Sequence, residues 1–240
     1  MIARTQYSFN EIALILKGTI LNQADSNLII RDLLIDSRRL IIPEGTLFFA
    51  LSSKRNDGHK YISELYERGV RNFVVQRKPD NLSDYPEANI ILVKNTLRAL
   101  QALAAEHRRQ FDIPVIGITG SNGKTIVKEW LYQLMSEDKN IVRSPKSFNS
   151  QIGVPLSVWL LNETHEMAIF EAGISEPDEM EHLQAVIQPT IGIFTNIGHA
   201  HDENFINRLQ KVGEKLNLFT RVETLIYCRD QKELHEGIVK

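Results

Sequence analysis

The stretch that decides the fold is Val115-Ile116-Gly117-Ile118-Thr119-Gly120-Ser121-Asn122-Gly123-Lys124-Thr125. An apolar, β-type run leads directly into a glycine-rich turn that ends in Gly-Lys-Thr, and a helix-forming segment, 126–135, follows. This order is typical of a phosphate-binding loop, in which backbone N–H groups at the start of the helix face a polyphosphate. The pattern predicts that Lys124 contacts phosphate and that the Thr125 hydroxyl reaches Mg²⁺.

The motif departs from the strict phosphate-loop pattern, which has a glycine five positions before Gly123. Ile118 stands at that position, Gly117 lies one place earlier, and Gly120 is additional. The alternative interpretation is an ordinary glycine-rich turn. The strand that precedes the turn and the helix that follows it favour the phosphate loop.

Composition limits the class of protein. The chain has 240 residues, of which 42% are apolar and 24% charged, enough for a buried core and for one or two domains. Its net charge is −2 and no block of like charges occurs, so no nucleic-acid-binding surface is predicted. The single cysteine, Cys228, excludes an internal disulfide and favours a cytoplasmic location. No stretch is long and apolar enough to be predicted to span a membrane.

The pattern before residue 93 predicts short strands and few helices, and Thr96–Gln110 is predicted to be helical. Ser8 and Glu11 form a capping-box pattern at the start of an amphipathic helix, and Gly18 is a natural stop. Other predicted elements are strands at 27–36, 46–51, 72–76 and 90–93, and a helix at 61–68. This part is interpreted as a small N-terminal α/β domain, residues 1–93.

From residue 114 onward, apolar strands alternate with amphipathic helices. Strands are predicted at 115–119, 140–143, 167–171, 191–196 and 224–227, and helices at 124–135, 152–161, 177–187 and 206–219. Such alternation indicates a parallel sheet covered on both faces, with ligands bound beyond the carboxyl ends of its strands. The predicted fold class is therefore α/β, with a phosphate-loop, parallel-sheet ATP-binding domain at 94–240.

Polar residues follow the later strands. Glu171 ends an apolar strand, where an acidic residue can hold Mg²⁺, although a solvated or helix-capping glutamate is an equal alternative. His199 and His201 lie in a loop with two acids, which suggests metal or phosphate chemistry. A polar loop without function and a zinc site are the alternatives there, but no cysteine lies near. Lys211 and Lys215 are four residues apart, for which a solvated basic face is the default interpretation.

Several motifs in this order resemble those of the Mur ligase family of peptidoglycan synthesis. The motifs are Ile118–Thr125 followed by Val127-Lys128-Glu129, then Asn149–Leu156, Glu171-Ala172-Gly173, Asn196-Ile197-Gly198 with Ala200-His201 and Phe205, and earlier Asp36-Ser37-Arg38, Pro43–Leu51 and Asp57-Gly58-His59. Within the family, the member that adds D-alanyl-D-alanine to UDP-N-acetylmuramoyl-tripeptide is the most similar. Together the motifs cover most of the chain.

The resemblance implies a role for each matching residue. It implies ATP phosphate binding by Thr119, Gly120, Ser121, Asn122, Gly123, Lys124 and Thr125, Mg²⁺ ligation by Thr125, Glu171 and His201, and catalytic roles for Lys124, His201 and Lys215. Lys215 lies where several Mur ligases carry a carbamylated lysine. Contacts to the muramoyl-peptide substrate are implied for Asn149 and Ser150, and contacts near its UDP end for Ser37, Arg38, Asp57, Gly58 and His59.

The implied reaction is ATP-dependent amide-bond formation. ATP phosphorylates the terminal carboxylate of the UDP-muramoyl-tripeptide, and the amine of D-alanyl-D-alanine displaces phosphate from the acyl phosphate. Alternatives are a sister ligase that adds diaminopimelate or lysine, folylpolyglutamate synthase, or a non-catalytic module that binds a nucleotide or a UDP-sugar. Mur ligases have three domains, and the resemblance implies that residues 1–93 are the UDP-substrate-binding N-terminal domain and 94–240 an incomplete, truncated central ATP-binding domain. The chain is therefore expected to be a fragment that lacks the C-terminal half. In some bacteria this ligase is fused to an alanine racemase, so the longer parent protein of such a fragment could be a fusion of that kind.

Overall fold

A computed structural model describes residues 6–25, 28–53, 56–198 and 204–239 of the chain. The chain divides into two compact units, one ending at Leu103 and the other beginning at Ala104. The sequence-based domain boundary between residues 93 and 94 remains a prediction. In the described part of the chain, no helix has the length and apolar composition that crossing a membrane requires.

The first unit contains a five-stranded sheet. Its strands and helices are β1 (Tyr7–Ser8), α1 (Phe9–Leu16), β2 (Thr19–Asn22), β3 (Ile29–Ile30), β4 (Asp32–Leu34), β5 (Thr46–Phe49), α2 (Ile62–Glu67), β6 (Asn72–Val75) and β7 (Asn89–Leu92), followed by α3 (Thr96–Arg108), within which the two units meet in sequence. The sheet order is β2-β7-β6-β5-β4, parallel from β4 to β7, with β2 antiparallel to β7. Phe48, Phe73 and Ile90 are buried in the core of this unit together with Leu65 of α2.

The capping box that the sequence predicts at α1 is present. The Ser8 hydroxyl accepts from the Glu11 N–H at 3.2 Å, and the Glu11 carboxylate accepts from the Ser8 N–H at 2.8 Å. The helix ends at Leu16, but Lys17, with φ 49°, is the left-handed residue and not Gly18. Gly18 is instead required by close packing, because an added Cβ would lie 2.3 Å from Cγ2 of Ile91.

Two predicted elements of the first unit differ from the structure. The predicted strand 27–36 is divided into β3 and β4, because the N–H groups of Arg31 and Asp32 both donate to the Gly45 carbonyl. The predicted helix 61–68 begins as a 3₁₀ turn, Gly58–Tyr61, before α2. The strand β2 is not predicted by the sequence pattern.

The second unit has the predicted alternation of strands and helices. Its elements are β8 (Val115–Thr119), α4 (Lys124–Met135), β9 (Ile141–Arg143), α5 (Gly153–Val158), β10 (Met167–Glu171), α6 (Glu179–Ile187), β11 (Ile191–Phe194), α7 (Arg208–Leu216), β12 (Thr224–Tyr227) and α8 (Lys232–Val239). All five strands are parallel, in the order β12-β11-β8-β10-β9. The fold class is confirmed for this unit, whereas α8 is not predicted by the sequence.

Alternate residues of these strands point to two separate apolar layers. On one side Ile116, Ile118 and Ile169 pack with Val127 and Leu131 of α4. On the other side Val115, Ala168 and Phe170 are buried with side chains of the remaining helices, among them Val158, Leu183, Val212 and Leu234. Because β8 lies between β10 and β11 and all three are parallel, the residues that follow Thr119, Glu171 and Phe194 meet at one edge.

Candidate active site

The loop between β8 and α4 depends on two glycines. Gly120 has φ 145° and Gly123 has φ 83°, conformations that side chains disfavour. An added Cβ at Gly120 would lie 2.0 Å from the Thr195 hydroxyl, so this position also lacks space. Helix α4 begins directly after Gly123 at Lys124, and its first N–H groups have no partner within the helix. The loop therefore presents the start of a helix to this edge of the sheet, as a phosphate-binding loop does.

The segment after β11 holds this loop in place. The N–H of Ser121 donates to the Asn196 carbonyl at 2.8 Å, and the N–H of Asn122 donates to Asn196 Oδ1 at 3.1 Å. The Thr195 hydroxyl donates to the Asn122 carbonyl at 2.6 Å. Gln231, before α8, accepts from the Ile197 N–H at 2.8 Å and so supports the same segment. The Asn196-Ile197 motif thus has a structural role in shaping the loop.

Three lysine ammonium groups lie around these turns. Lys124 Nζ donates to the Gly120 carbonyl at 2.8 Å, and Lys215 Nζ lies 3.4 Å from the same oxygen. Lys211 Nζ donates to the Gly198 carbonyl at 2.7 Å. Burial lowers the pKa of Lys124, an effect that the nearby carboxylate of Glu171 opposes.

The interpretation of Lys211 and Lys215 as a solvated basic face is wrong. Lys211 and Lys215 are only 1% and 3% exposed, because α7 turns this face toward the carboxyl edge of the sheet. Burial, together with the charges of Lys124 and Lys211, lowers the pKa of Lys215 to about 7. Near neutral pH, Lys215 therefore exchanges between an ammonium ion and a neutral amine.

Glu171 is completely buried, which excludes the solvated-glutamate alternative. Its Oε2 accepts from the Thr125 hydroxyl at 3.1 Å and lies 3.4 Å from the Asn149 amide nitrogen. The Ser147 hydroxyl is 3.3 Å from that of Thr125. Carboxylate and hydroxyl oxygens are the ligands that Mg²⁺ prefers, so the chemistry of this group of side chains fits a magnesium ion.

The remaining predicted metal ligand, His201, lies outside the described residues, as does His199. Among the residues that the structure does describe, no group of three or more His, Cys, Asp or Glu side chains is arranged to hold a metal ion. A magnesium ion held by the oxygens of Thr125 and Glu171 would therefore need further ligands, such as phosphate oxygens or water.

A cavity of about 130 Å³ opens between the loop and the segments that follow β9 and β10. Its lining combines predicted phosphate-binding and substrate-binding residues, namely Gly120, Ser121, Lys124, Asn149, Ser150 and Lys215. Gly173, the last residue of the Glu171-Ala172-Gly173 motif, also lines it. Ile174 and Ser175 line it as well, and no sequence motif indicates them, although they directly follow Gly173. Two of the lining side chains are lysines, so the cavity suits an anionic group.

Of the side chains predicted to bind phosphate, those of Thr119, Asn122 and Thr125 do not line this cavity. Thr119 differs most from the prediction. It is fully buried, and its hydroxyl donates to the Ala172 carbonyl at 2.8 Å. This bond links the ends of β8 and β10, so the Thr119 side chain supports the loop from within the sheet.

The predicted UDP-side residues lie in the first unit, where they make internal bonds. The Arg38 guanidinium hydrogen-bonds the Asp36 carboxylate and lowers the pKa of Asp36 to about 2. Arg38 itself is largely exposed, whereas Ser37 is buried and its carbonyl accepts from Arg68 at 2.8 Å. Of the predicted UDP-side residues, Arg38 therefore has the side chain most accessible to solvent or a ligand.

The Asp57-Gly58-His59 turn is tightly bonded. Burial raises the pKa of Asp57, but hydrogen bonds from His59, Ser52 and Arg77 outweigh that effect and hold it well below its usual range. His59 Nδ1 lies 2.8 Å from Asp57, and its Nε2 accepts from the N–H of Gln76 at 3.2 Å. An added Cβ at Gly58 would lie 2.7 Å from the Leu51 nitrogen. These residues fix the turn against the end of β6.

Comparison with known families and proteins gives matches over most of the chain. The Mur ligase middle domain matches residues 118–239, and the family described as Mur ligase family, catalytic domain, matches residues 30–108. The UDP-N-acetylmuramoyl-tripeptide--D-alanyl-D-alanine ligase of Bacillus subtilis (strain 168) is 33% identical over 242 residues, which cover 99% of this chain and 51% of that protein. The enzyme of the same name from Synechocystis sp. is 36% identical, over 72% of this chain and 37% of its own.

Solved structures of two MurF ligases are similar to most of this chain. MurF from Acinetobacter baumannii superposes with a TM-score of 0.85 at 25% identity, covering 97% of this chain and 51% of its own. The MurF ligase from Thermotoga maritima in complex with ADP gives a TM-score of 0.76 at 29% identity, covering 87% and 48%. The chain spans about half the length of the curated relatives it matches.

Proposed function

Because this chain belongs to the Mur ligase family, we propose that it contributes the ATP-binding site of an ATP-dependent amide-bond ligase. The proposed reaction adds D-alanyl-D-alanine to UDP-N-acetylmuramoyl-tripeptide, which is the reaction named for its relatives. One observation supports the proposal most strongly. The phosphate loop, the Thr125 hydroxyl with the buried Glu171 carboxylate, and the amines of half-buried Lys124 and buried Lys215 surround one edge of the parallel sheet.

The residues that would hold ATP and Mg²⁺ follow from this arrangement. Lys124 and the first N–H groups of α4 suit the ATP phosphates. Thr125 and Glu171 suit Mg²⁺, with His201 as the further ligand that the family resemblance implies. When bound, Mg²⁺ neutralises negative charge on phosphate oxygens.

The chain's own residues would act by charge neutralisation and alignment. Both reacting partners in the first step, a carboxylate and a triphosphate, are anions that repel one another. Lys124 reduces that repulsion, and Asn149 and Ser150, at the same cavity, would orient the peptide end of the substrate. The acyl phosphate formed in this step then reacts with the amine of D-alanyl-D-alanine, and phosphate leaves. No protein nucleophile is needed.

Lys215 is proposed as a carbamylation site. Only a neutral amine attacks CO₂, and the lowered pKa of about 7 supplies that form near neutral pH. The amine nitrogen would bond to the CO₂ carbon and release one proton to solvent, which gives a carbamate anion where an ammonium ion would otherwise crowd the other two lysines around Gly120 and Gly198. The burial of Lys215 supports this role over that of a surface lysine.

Binding of the UDP end is proposed for the first unit. The family resemblance supports contacts with the UDP group by five residues of this unit, Ser37, Arg38, Asp57, Gly58 and His59. The exposed guanidinium of Arg38 suits a diphosphate, whereas the Asp57–His59 turn would act through its fixed shape. A cytoplasmic location, where the nucleotide-linked substrate and ATP would both be available, completes the proposal.

A second candidate function arises from the length of the chain. Because the chain spans about half of its curated relatives, it is also a candidate for a module that binds nucleotide or UDP-substrate without turnover.

The test is phosphate release from ATP with Mg²⁺, UDP-N-acetylmuramoyl-tripeptide and D-alanyl-D-alanine, with Lys124→Ala as the control. Release that requires both substrates and Lys124 supports a ligase. Absence of release, together with calorimetric binding of ATP or the UDP-substrate, supports the non-catalytic module. Absence of both release and binding contradicts the proposed function.

A further inference from the structure

Lys128 is a completely buried lysine to which the proposed reaction gives no role. It lies on α4, one turn after Lys124, and its side chain is 0% exposed. Its ammonium is 2.9 Å from Oε1 of Glu171, which is equally buried. Within the described residues that oxygen accepts no hydrogen bond of good geometry, so the Lys128 ammonium, which also lies 3.1 Å from Glu129 Oε1, is the charge that directly contacts and compensates it.

The two oxygens of the Glu171 carboxylate thus face different partners. Oε1 faces Lys128, whereas Oε2 accepts from the Thr125 hydroxyl and faces the Asn149 amide. A buried carboxylate needs both a compensating charge and hydrogen bonds. The oxygen that faces the compensating charge is occupied, so the other oxygen is the one available to further ligands. The position of Lys128 leaves Oε2 on the side of the phosphate loop.

Lys128 also holds the turn that follows β9. Its ammonium donates to the Ser144 carbonyl at 2.7 Å and to the Lys146 carbonyl. Lys146 has φ 50°, a left-handed conformation that a residue with a side chain adopts at a cost. The same turn leads to Ser147 and Asn149, both of which are at the Thr125–Glu171 pair.

We propose that Lys128 is a positioning residue that orients the Glu171 carboxylate toward Thr125 and anchors the turn bearing Ser147 and Asn149. Through these two contacts it sets the affinity of the site for a divalent cation. The inference rests on the proposed function, because it assumes that nucleotide binds together with Mg²⁺ at this site.

A purely structural ion pair would have a different consequence. Its loss would lower stability but would change nucleotide binding equally with and without Mg²⁺. A positioning role predicts a change in the Mg²⁺ requirement, which is the Mg²⁺ concentration that gives half of the full increase in ADP affinity. It predicts no change in nucleotide binding in the absence of Mg²⁺. The two roles can therefore be separated by varying the metal at fixed nucleotide.

The experiment is calorimetric titration of ADP into the full chain at graded Mg²⁺ concentrations and in EDTA. Lys128→Met removes the ammonium at similar volume, and Lys139→Met is the matched control, because Lys139 is exposed beyond the end of α4. For Lys128→Met we expect the Mg²⁺ requirement to rise roughly 10- to 100-fold, the usual loss when the partner of a metal ligand is removed. Lys139→Met should behave as the unsubstituted chain does.

An unchanged Mg²⁺ requirement in folded Lys128→Met would overturn the inference while leaving the proposed function intact. Failure of the unsubstituted chain to bind ADP with Mg²⁺ would overturn the proposed function, and the inference with it. If Lys128→Met does not fold, Lys128→Arg keeps the charge but displaces it, and should raise the Mg²⁺ requirement in the same direction. A folded Lys128→Arg with an unchanged requirement would contradict the positioning role.

Discussion

At the scale of single residues, the crowding of positive charge at the phosphate loop is the feature with most chemical consequence. The ammonium groups of Lys124 and Lys215 approach the same carbonyl, that of Gly120, and Lys211 is buried beside Gly198. Like charges held together in a buried place disfavour their own protonation and favour an anionic ligand. This arrangement of the lysines therefore favours the binding of an anion and lowers the stability of the folded chain without one.

Lys215 should make stability depend on pH. Its pKa is about 7 in the folded chain, against 10.5 for an ordinary lysine, so between these values the unfolded chain binds more protons. Stability should therefore rise as the pH increases from about 7 toward 10. In CO₂-free buffer, urea unfolding at pH 7 and pH 9.5 should show this rise for the unsubstituted chain and a smaller rise for Lys215→Met.

The control for this prediction is Lys139→Met, which removes an exposed lysine and should keep the full pH dependence. An equal rise in Lys215→Met and the unsubstituted chain would show that Lys215 titrates as a solvated lysine does.

The sequence does not reveal this burial. Lys211, Glu214 and Lys215 have the spacing of a solvated helix face, and nothing in the spacing indicates that α7 turns two lysines inward. Only the family resemblance distinguishes Lys215 from a surface lysine. Lys128 belongs to the Val127-Lys128-Glu129 motif, but its ion pair with Glu171 depends on the distance between α4 and β10, which the sequence does not contain.

At the scale of elements, the join between β8 and α4 depends on Gly120. Gly120→Ala would place Cβ against the Thr195 hydroxyl at a φ that alanine disfavours. We expect a loss of about 2 kcal/mol or more in the free energy of unfolding. We also expect loss of nucleotide binding, because the loop must move away from the segment after β11. Chemical denaturation and ADP titration measure the two effects.

Gly213→Ala is the matched control, since Gly213 lies inside α7 with open space around it. That change should raise the free energy of unfolding by about 0.5–1 kcal/mol, because glycine weakens a helix interior. Similar stability of Gly120→Ala and the unsubstituted chain would mean that the loop is not constrained in the way described.

The two units were not equally predictable from the sequence. In the second unit, long apolar strands separated by amphipathic helices gave the right order and type of every element up to β12. In the first unit, β1 and β3 have two residues each, too few for an alternating pattern to appear. The helix α8 was missed because its sequence, Lys232–Val239, is short and largely polar.

At the scale of the whole molecule, one face of the second unit carries exposed apolar side chains. Ile126, Trp130 and Leu134 of α4 are 57%, 64% and 77% exposed. Within the described residues, α4 is the helix that covers its face of the sheet, and Ile226 on β12 is 53% exposed. Parallel sheets normally have both faces covered, so this surface is more apolar than the fold requires.

We predict that this surface causes self-association. Trp130→Ser combined with Leu134→Ser should lower the binding of a hydrophobic dye and the sedimentation of aggregates. Stability should change by no more than about 0.5 kcal/mol per exposed site. Ile41, which is 90% exposed in the first unit, provides the control Ile41→Ser. A loss of several kcal/mol in the double variant would show that these side chains are buried in solution.

The central claim is that this chain binds Mg²⁺-nucleotide at the loop that begins α4. Calorimetric titration of ADP and Mg²⁺ into the unsubstituted chain and into Lys124→Ala tests it most directly. We expect binding by the unsubstituted chain, and a loss of affinity of about tenfold or more in a folded Lys124→Ala, because a charged hydrogen bond to phosphate contributes about 1.5–3 kcal/mol. Equal affinity of the two proteins, or no binding by either, would contradict the assignment of the phosphate-binding loop.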